Sequence, residues 1–195
     1  FPDVPVVLGG IEASLRRLTH YDYWEDKLKK CILCESGADI ILYGMGEKNT
    51  LQLCRELENG RSIKDVKDIP QTVYLAKKED IPGGITDTDI VLHSHEECLR
   101  NKKAQAENFR HIEEESNKMH AQRLIQGVDH QFAVVNPPYP PMTTEELDAA
   151  FDLPYTRMPH PKYKGKTIPA YEMIKFSVNL HRGCFGAPRK ASGVR

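Results

Sequence analysis

The chain has 195 residues, 39% apolar and 28% charged, with a formal net charge of −1. That is ordinary soluble composition, enough for one core and the start of a second. No apolar run nears the ~18 residues of a membrane span and no signal-peptide pattern is present, so the chain reads as cytosolic.

In chain order, residues 4–8 read as a buried-type strand, Gly9-Gly10 as a tight turn, and a helix opens at Ile11 or Glu12. Phe1 in place of Met, leading straight into that strand, points to a chain that begins inside a longer gene product. The "YDYWEDKLKKCILCESG" stretch continues helically, with Tyr23, Leu28, Cys31 and Ile32 on one face and Gly37 as the stop. The design then repeats: a strand over 39–43, a glycine turn, a helix over 48–58 and a glycine stop at Gly60. Two successive strand–glycine turn–helix units predict a parallel, doubly wound sheet, with a third strand over 71–77. Ser94 and Glu97 form a capping box that opens one long polar helix running to about His120. "RLIQGVDHQFAVVN" reads as a hairpin around Gly127, and "PPYPPM" as a stiff connector whose prolines cannot donate to a ladder. A second capping box, Thr143 with Glu146, opens a short helix to Phe151. After a loose Pro/Lys segment, residues 176–180 alternate apolar and polar as a short strand.

Candidate sites follow from these placements. The Gly9-Gly10 and Gly44-Met45-Gly46 turns stand where a strand hands over to a helix. There, backbone N–H groups and a helix N-terminus can hold a phosphate or another polar ligand. Neither turn completes G-x-G-x-x-G, since Asn49 occupies the third glycine position, so tight turns without a ligand are the favoured reading. Gly9, Gly10, Glu12, Gly44, Gly46 and Glu47 are the candidate cofactor-binding set beside it. In "HYDYW", His20 and Asp22 are candidate acid–base groups, and Trp24, the sole tryptophan, is expected to anchor the core.

Five cysteines at spacings that build no disulfide framework read as free thiols, metal ligands or core residues. Cys31 and Cys34 have C-x-x-C spacing but no second pair at a metal-like distance, and Ile32-Leu33 fall mid-helix, whereas redox pairs favour a helix N-terminus. Cys54 and Cys98 read as core or half-buried thiols. Cys184, between Gly183 and Gly186 and behind a basic pair, has the loop character of an iron–sulfur ligand, yet one thiol cannot hold a cluster. From Arg157 onward the chain carries nine of its 27 Lys/Arg residues and one of its 28 acids. With Tyr155, Tyr163, Tyr171 and Phe176 interleaved, that segment admits an anionic or nucleic-acid partner as well as a plain solvated surface.

The strings "GGIEASLRR", "HYDYW", "ADIILYGMGE", "VVNPP", "LPYTR", "PHP" and "IKFSVNLHRGCFGA" together resemble the YgiQ-type (UPF0313) radical S-adenosylmethionine (radical SAM) proteins, in order and up to about Ala187. The resemblance implies a Rossmann-like N-terminal domain ahead of a partial β/α barrel. In that barrel a C-x-x-x-C-x-x-C loop holds a [4Fe-4S] cluster, whose fourth iron takes the amino and carboxylate groups of S-adenosylmethionine. On this resemblance Cys184 matches the first cluster cysteine, while the second and third positions are Pro188 and Ala191. The expected fold is thus α/β, a Rossmann-like parallel sheet with flanking helices, plus the first strand of a truncated partial β/α barrel. The expected division is a partial N-terminal domain over 1–136, a proline-rich connector with a short helix over 137–169, and the truncated start of the radical SAM domain over 170–195. The expected role is a fragment of a radical SAM iron–sulfur enzyme of unknown small-molecule or macromolecular substrate, binding neither cluster nor S-adenosylmethionine by itself. No cobalamin is expected, because D-x-H-x-x-G is absent. The alternative is a non-catalytic α/β ligand-binding or interaction module.

Overall fold

The computed structural model describes residues 4–178. The chain divides into two compact units, Phe1–Pro141 and Met142–Arg195.

The first unit is built on a six-stranded sheet of order β1-β4-β5-β8-β7-β6. Its strands are β1 (Val7–Leu8), β4 (Ile40–Leu42), β5 (Thr72–Ala76), β6 (Ile90–Leu92), β7 (Leu124–Val128) and β8 (Gln131–Val135). Helices α1 (Gly10–Leu15), α2 (Ile32–Ser36), α3 (Glu47–Glu58), α4 (His95–Arg100) and α5 (Lys102–Ser116) connect them, with a separate two-stranded sheet of β2 (His20–Asp22) and β3 (Lys27–Lys29). The expected α/β class holds. Parallel pairing occurs at both margins, Val7 against Ile40 and Ile90 against Leu124, whereas the three inner pairs are antiparallel.

The reason lies in the connections. Helix α3 carries the chain back along β4, as a parallel crossover would. Residues 59–71 then retrace that path, so β5 starts beside the end of β4, with Thr72 opposite Leu42 and the Tyr43 N–H donating to the Gln71 carbonyl (3.2 Å). The retracing segment is held by its own apolar side chains: Val66 and Ile69 are buried with Leu53, Ile40 and Leu42. Strands β7 and β8 are joined by the two-residue turn Asp129-His130, and so tight a turn permits only antiparallel pairing. Asp129 carries its left-handed bend (φ 51°) and Gly127, the expected turn centre, lies inside β7 opposite Phe132.

Alternation along the strands sorts the core onto two faces. Ile41, Val73, Leu124 and Val135 face α1 and α2 through Ala13, Leu18, Cys31 and Leu33. Ile40 and Leu42 face α3, and Tyr74, Ile125 and Val134 pack with Ile81. Each fully buried Ile or Val contributes about 1.5 to 3 kcal/mol relative to exposure.

Three further expectations are corrected. Residues 21–36 are not one helix: β2 and β3 form a hairpin, paired His20 to Lys29, Tyr21 to Leu28 and Asp22 to Lys27, because Asp22 accepts from the Glu25 N–H (3.0 Å) and Asp26 adopts φ 50°, which closes a turn. The long helix from Ser94 is broken at Asn101, whose side chain accepts from the Lys103 N–H (3.0 Å) and starts α5 afresh. Strand β6 was not foreseen at all.

The second unit holds α6 (Thr144–Phe151) and α7 (Pro169–Ile174). The Thr143–Glu146 capping box is present, with the Glu146 N–H donating to Thr143 Oγ1 (3.2 Å) and the Thr143 N–H to Glu146 Oε2 (2.9 Å). None of its described residues is buried. Phe176 lies in a turn and Ser177 and Val178 belong to no strand; the rest of the expected barrel strand, Asn179 and Leu180, lies outside the described residues.

Candidate functional site

The two glycine turns meet at one end of the sheet. Parallel pairing of β1 with β4 brings their carboxyl ends side by side, and Ser14 of α1 joins them: its hydroxyl donates to the Gly10 carbonyl (2.7 Å) and accepts from the Gly44 N–H (3.0 Å). Gln71 fastens the other side, its Nε2 donating to the carbonyls of Tyr43 (2.7 Å) and Met45 (2.5 Å). Gly44 has φ +68°, and a Cβ there would stand 3.1 Å from Gln71 Nε2, so the turn requires glycine for both conformation and space. Glu12 pairs with Arg16 (2.7 Å), and Glu47 opens α3 at its first residue, where a carboxylate is favourable. Arg17 lies 5.1 Å from the Tyr43 ring centroid, and burial lowers its pKa. Burial likewise raises the Tyr43 phenol, which donates to the Asn136 carbonyl (2.6 Å). The structure therefore brings Gly9, Gly10, Gly44 and Gly46 to one locality but commits the Gly44 amide and two of the turn's carbonyls to the protein's own side chains. Sequence reasoning missed Ser14 and Gln71 because Ser14 acts on Gly44 at a separation of 30 positions and Gln71 on Tyr43 at a separation of 28, and neither carries a local motif.

The hairpin presents a different arrangement. Asp22 is buried between Arg16 (3.5 Å) and Lys29 (3.7 Å); the Glu25 N–H first, and then these cations, hold its carboxyl below the usual carboxylate range. His20 is half-buried, its Nδ1 donating to the Leu18 carbonyl (3.1 Å), and burial lowers its pKa. Trp24 is 86% exposed and stacks edge-on against Tyr23, which overturns its expected place in the core. The hairpin turn carries it outward: only alternate residues of β2 face the protein, and Trp24 lies beyond them.

Behind the hairpin lies a buried polar network that the sequence did not reveal. Thr19 Oγ1 contacts His95 Nδ1 (3.1 Å) and the Thr19 N–H donates to Gln126 Oε1 (2.8 Å). Gln126 Nε2 and Asn108 Nδ2 both donate to the His93 carbonyl (3.0 and 2.9 Å), and Asn108 Nδ2 also reaches Cys98 Sγ (3.2 Å). Burial lowers the pKa of His95 and raises that of Cys98. These groups satisfy one another, as buried polar groups must.

The cysteines fall in three settings. Cys31 is buried at the residue that caps α2, and Cys34 is half-buried in its first turn; the expected mid-helix placement is overturned, because β3 ends at Lys29 and leaves Cys31 to start the helix. Cys98 is buried and Cys54 exposed, the latter against expectation, since it lies on the outward side of α3 while Leu53 takes the inward one. Cys184, Pro188 and Ala191 lie outside the described residues. Among the described residues no group of three or more His, Cys, Asp or Glu side chains could hold a metal ion, so these residues do not themselves fit an iron–sulfur cluster. No helix among them is long and apolar enough to cross a membrane.

Such a sheet, with glycine turns at the ends of neighbouring parallel strands, defines a Rossmann-like α/β domain. The family described as "Radical SAM N-terminal" matches residues 1–177, and the chain belongs to it, in the form found in UPF0313 radical SAM proteins. A UPF0313 protein of Bacteroides thetaiotaomicron is 60% identical over 95% of this chain and 32% of its own length. Those of Porphyromonas gingivalis and Methanocella arvoryzae are 58% and 44% identical over 95% of this chain, which covers 29% and 30% of them. The chain thus spans about a third of the length of these curated relatives. No solved structure matches it.

Proposed function

We propose that this chain supplies the α/β domain that stands ahead of the cluster-bearing domain in a radical SAM enzyme of unidentified substrate. The observation that carries this reading is the family match over residues 1–177, joined to relatives about three times as long. In this reading Cys184 is the first of three cluster thiolates, and with Pro188 and Ala191 at the other two positions the chain as given cannot close around a [4Fe-4S] cluster. When bound in the intact enzyme, the cluster and S-adenosylmethionine supply the radical chemistry; this domain contributes a rigid sheet and the Ser14- and Gln71-fastened turns beside it.

Anaerobic reconstitution with iron and sulfide tests the proposal. The full-length Bacteroides relative is expected to take up a stoichiometric cluster and to cleave S-adenosylmethionine to 5′-deoxyadenosine, whereas this chain shows neither broad thiolate-to-iron absorbance nor stoichiometric iron. A cluster on this chain would overturn the lost-ligand part, and an inert relative would overturn the enzyme reading.

A second reading, an α/β module that binds an anionic ligand, is favoured by the meeting of both glycine turns at Ser14. A nucleotide-induced rise in melting temperature that is lost in Ser14→Ala would support it.

A further inference from the structure

We propose that Cys31 and Cys34 form a reversible dithiol–disulfide pair that reacts with low-molecular-weight disulfides of the glutathione class. Three observations carry the argument. The Cys34 N–H donates to the Cys31 carbonyl (2.9 Å), which sets the two residues one helical turn apart. The Cα separation this implies, about 5 Å from helix geometry, lies inside the range a disulfide spans. Cys31 is the residue that caps α2 and Cys34 stands in the first turn of the same helix, so both thiols start from one end of one element. Finally, access is divided: Cys31 is sealed in the core beside Leu33 and Leu18, while Cys34 is half-exposed.

The surroundings fit this division of labour. Hydrogen bonding to the Cys31 thiol, first of all, lowers the Cys34 pKa, and Lys30 adds to this, while burial and then Asp129 and Glu35 oppose it. Lys30 itself is held by Asp129 through both carboxylate oxygens (2.7 Å each), and the Asp129 N–H donates to Glu96 Oε1 (3.0 Å), so a cation and two acids stand fixed near the pair. The Cys31 thiol is raised, chiefly by its hydrogen bonding to Cys34 and then by burial. Cys34 is therefore the attacking sulfur and Cys31 the resolving one.

The step balances. The Cys34 thiolate attacks one sulfur of the small disulfide and expels one thiolate, leaving a mixed disulfide. With the charge on Cys34 gone, Cys31 passes its proton to the expelled thiolate and attacks the Cys34 sulfur, expelling the second. The protein loses two electrons and two protons, and the small disulfide is reduced to two thiols. This does not rest on the enzyme reading above, and either can fail alone.

The test uses the full chain, first without substitution and then as Cys34→Ala. It is equilibrated in glutathione buffers of rising disulfide content, quenched in acid, alkylated with N-ethylmaleimide in denaturant and digested with trypsin. Both cysteines fall on the tryptic peptide 31–48. That peptide is expected to pass from doubly alkylated to unalkylated and two hydrogens lighter, with no lasting glutathione adduct, while exposed Cys54 collects mixed disulfide. In Cys34→Ala, Cys31 is expected to stay reduced. A persistent adduct on Cys34, or a doubly alkylated peptide under conditions that fully modify Cys54, overturns the proposal.

Discussion

Gly44 shows at the level of a single residue what the glycine turns demand. Its φ of +68° strains any L side chain, and the Gln71 amide 3.1 Å from the would-be Cβ holds two carbonyls of the same turn and cannot retreat without releasing them. Gly44→Ala is expected to destabilise the chain by about 1 to 2 kcal/mol, read as a lower urea midpoint at unchanged m-value. Asp89 makes the complementary case for charge. Its carboxylate meets Arg123 Nε (2.8 Å) and Nη2 (2.7 Å), and Arg123 also donates to the carbonyls of Pro82 and Gly84. Both side chains are largely removed from solvent, and breaking such a pair by removing one partner costs about 3 kcal/mol. Asp89→Asn should show that loss at neutral pH. Arg123 lowers the folded pKa of Asp89, so the pair's contribution is complete above the unfolded value near 4 and fades as pH falls through the lower folded value. Below about pH 4 the unsubstituted chain is therefore expected to lose stability more steeply than the variant. Parallel acid profiles would refute the assignment.

Helix ends and hairpins show where local chemistry decides and where it is overruled. The Ser94–Glu97 capping box forms with both of its reciprocal bonds, and Ser94→Ala is expected to cost about 1 kcal/mol, measurable by thermal unfolding followed by circular dichroism. An unchanged melting temperature would mean that α4 is held by packing alone. The same cap could not predict where the helix stops. Asn101 ends α4 and starts α5, and an asparagine is equally legible as a helical surface residue until the geometry around it is known. The β2–β3 hairpin was missed for a related reason. Three-residue strands are too short for alternation to outweigh a helical spacing of Tyr23, Leu28, Cys31 and Ile32, and the turn depends on Asp22 and Asp26 acting together. Reading one continuous helix puts Cys31 and Cys34 in its middle, whereas the hairpin leaves them at the start of α2, and so the pair's chemical setting stayed hidden.

For the whole molecule, the two units differ in how they hold themselves together. The first has a two-faced core, with Ile41, Val73, Ile125 and Val134 fully enclosed, while no described residue of the second is buried. Amide exchange follows the free energy of opening, so β5, β7 and β8 are expected to exchange slowest, whereas α6 and α7 exchange within the shortest labelling time. Protection in α6 equal to that in β8 would show that the second unit has its own cooperative fold.

Much was legible from the residues in order: the strands at 40–42 and 72–76, helix α3, both capping boxes, the 124–135 hairpin, and the strings that carry the family resemblance. These depend on periodicity, caps and turn chemistry, which act within a few positions. Tertiary structure alone decided the antiparallel entry of β5, the outward placement of Trp24, the joining of two glycine turns by Ser14 and Gln71, and the exposure of one cysteine above its buried neighbour. Each of these turns on which distant segments come to lie against one another, and burial of apolar side chains such as Val66 and Ile69 selects that arrangement without favouring any particular sequence separation.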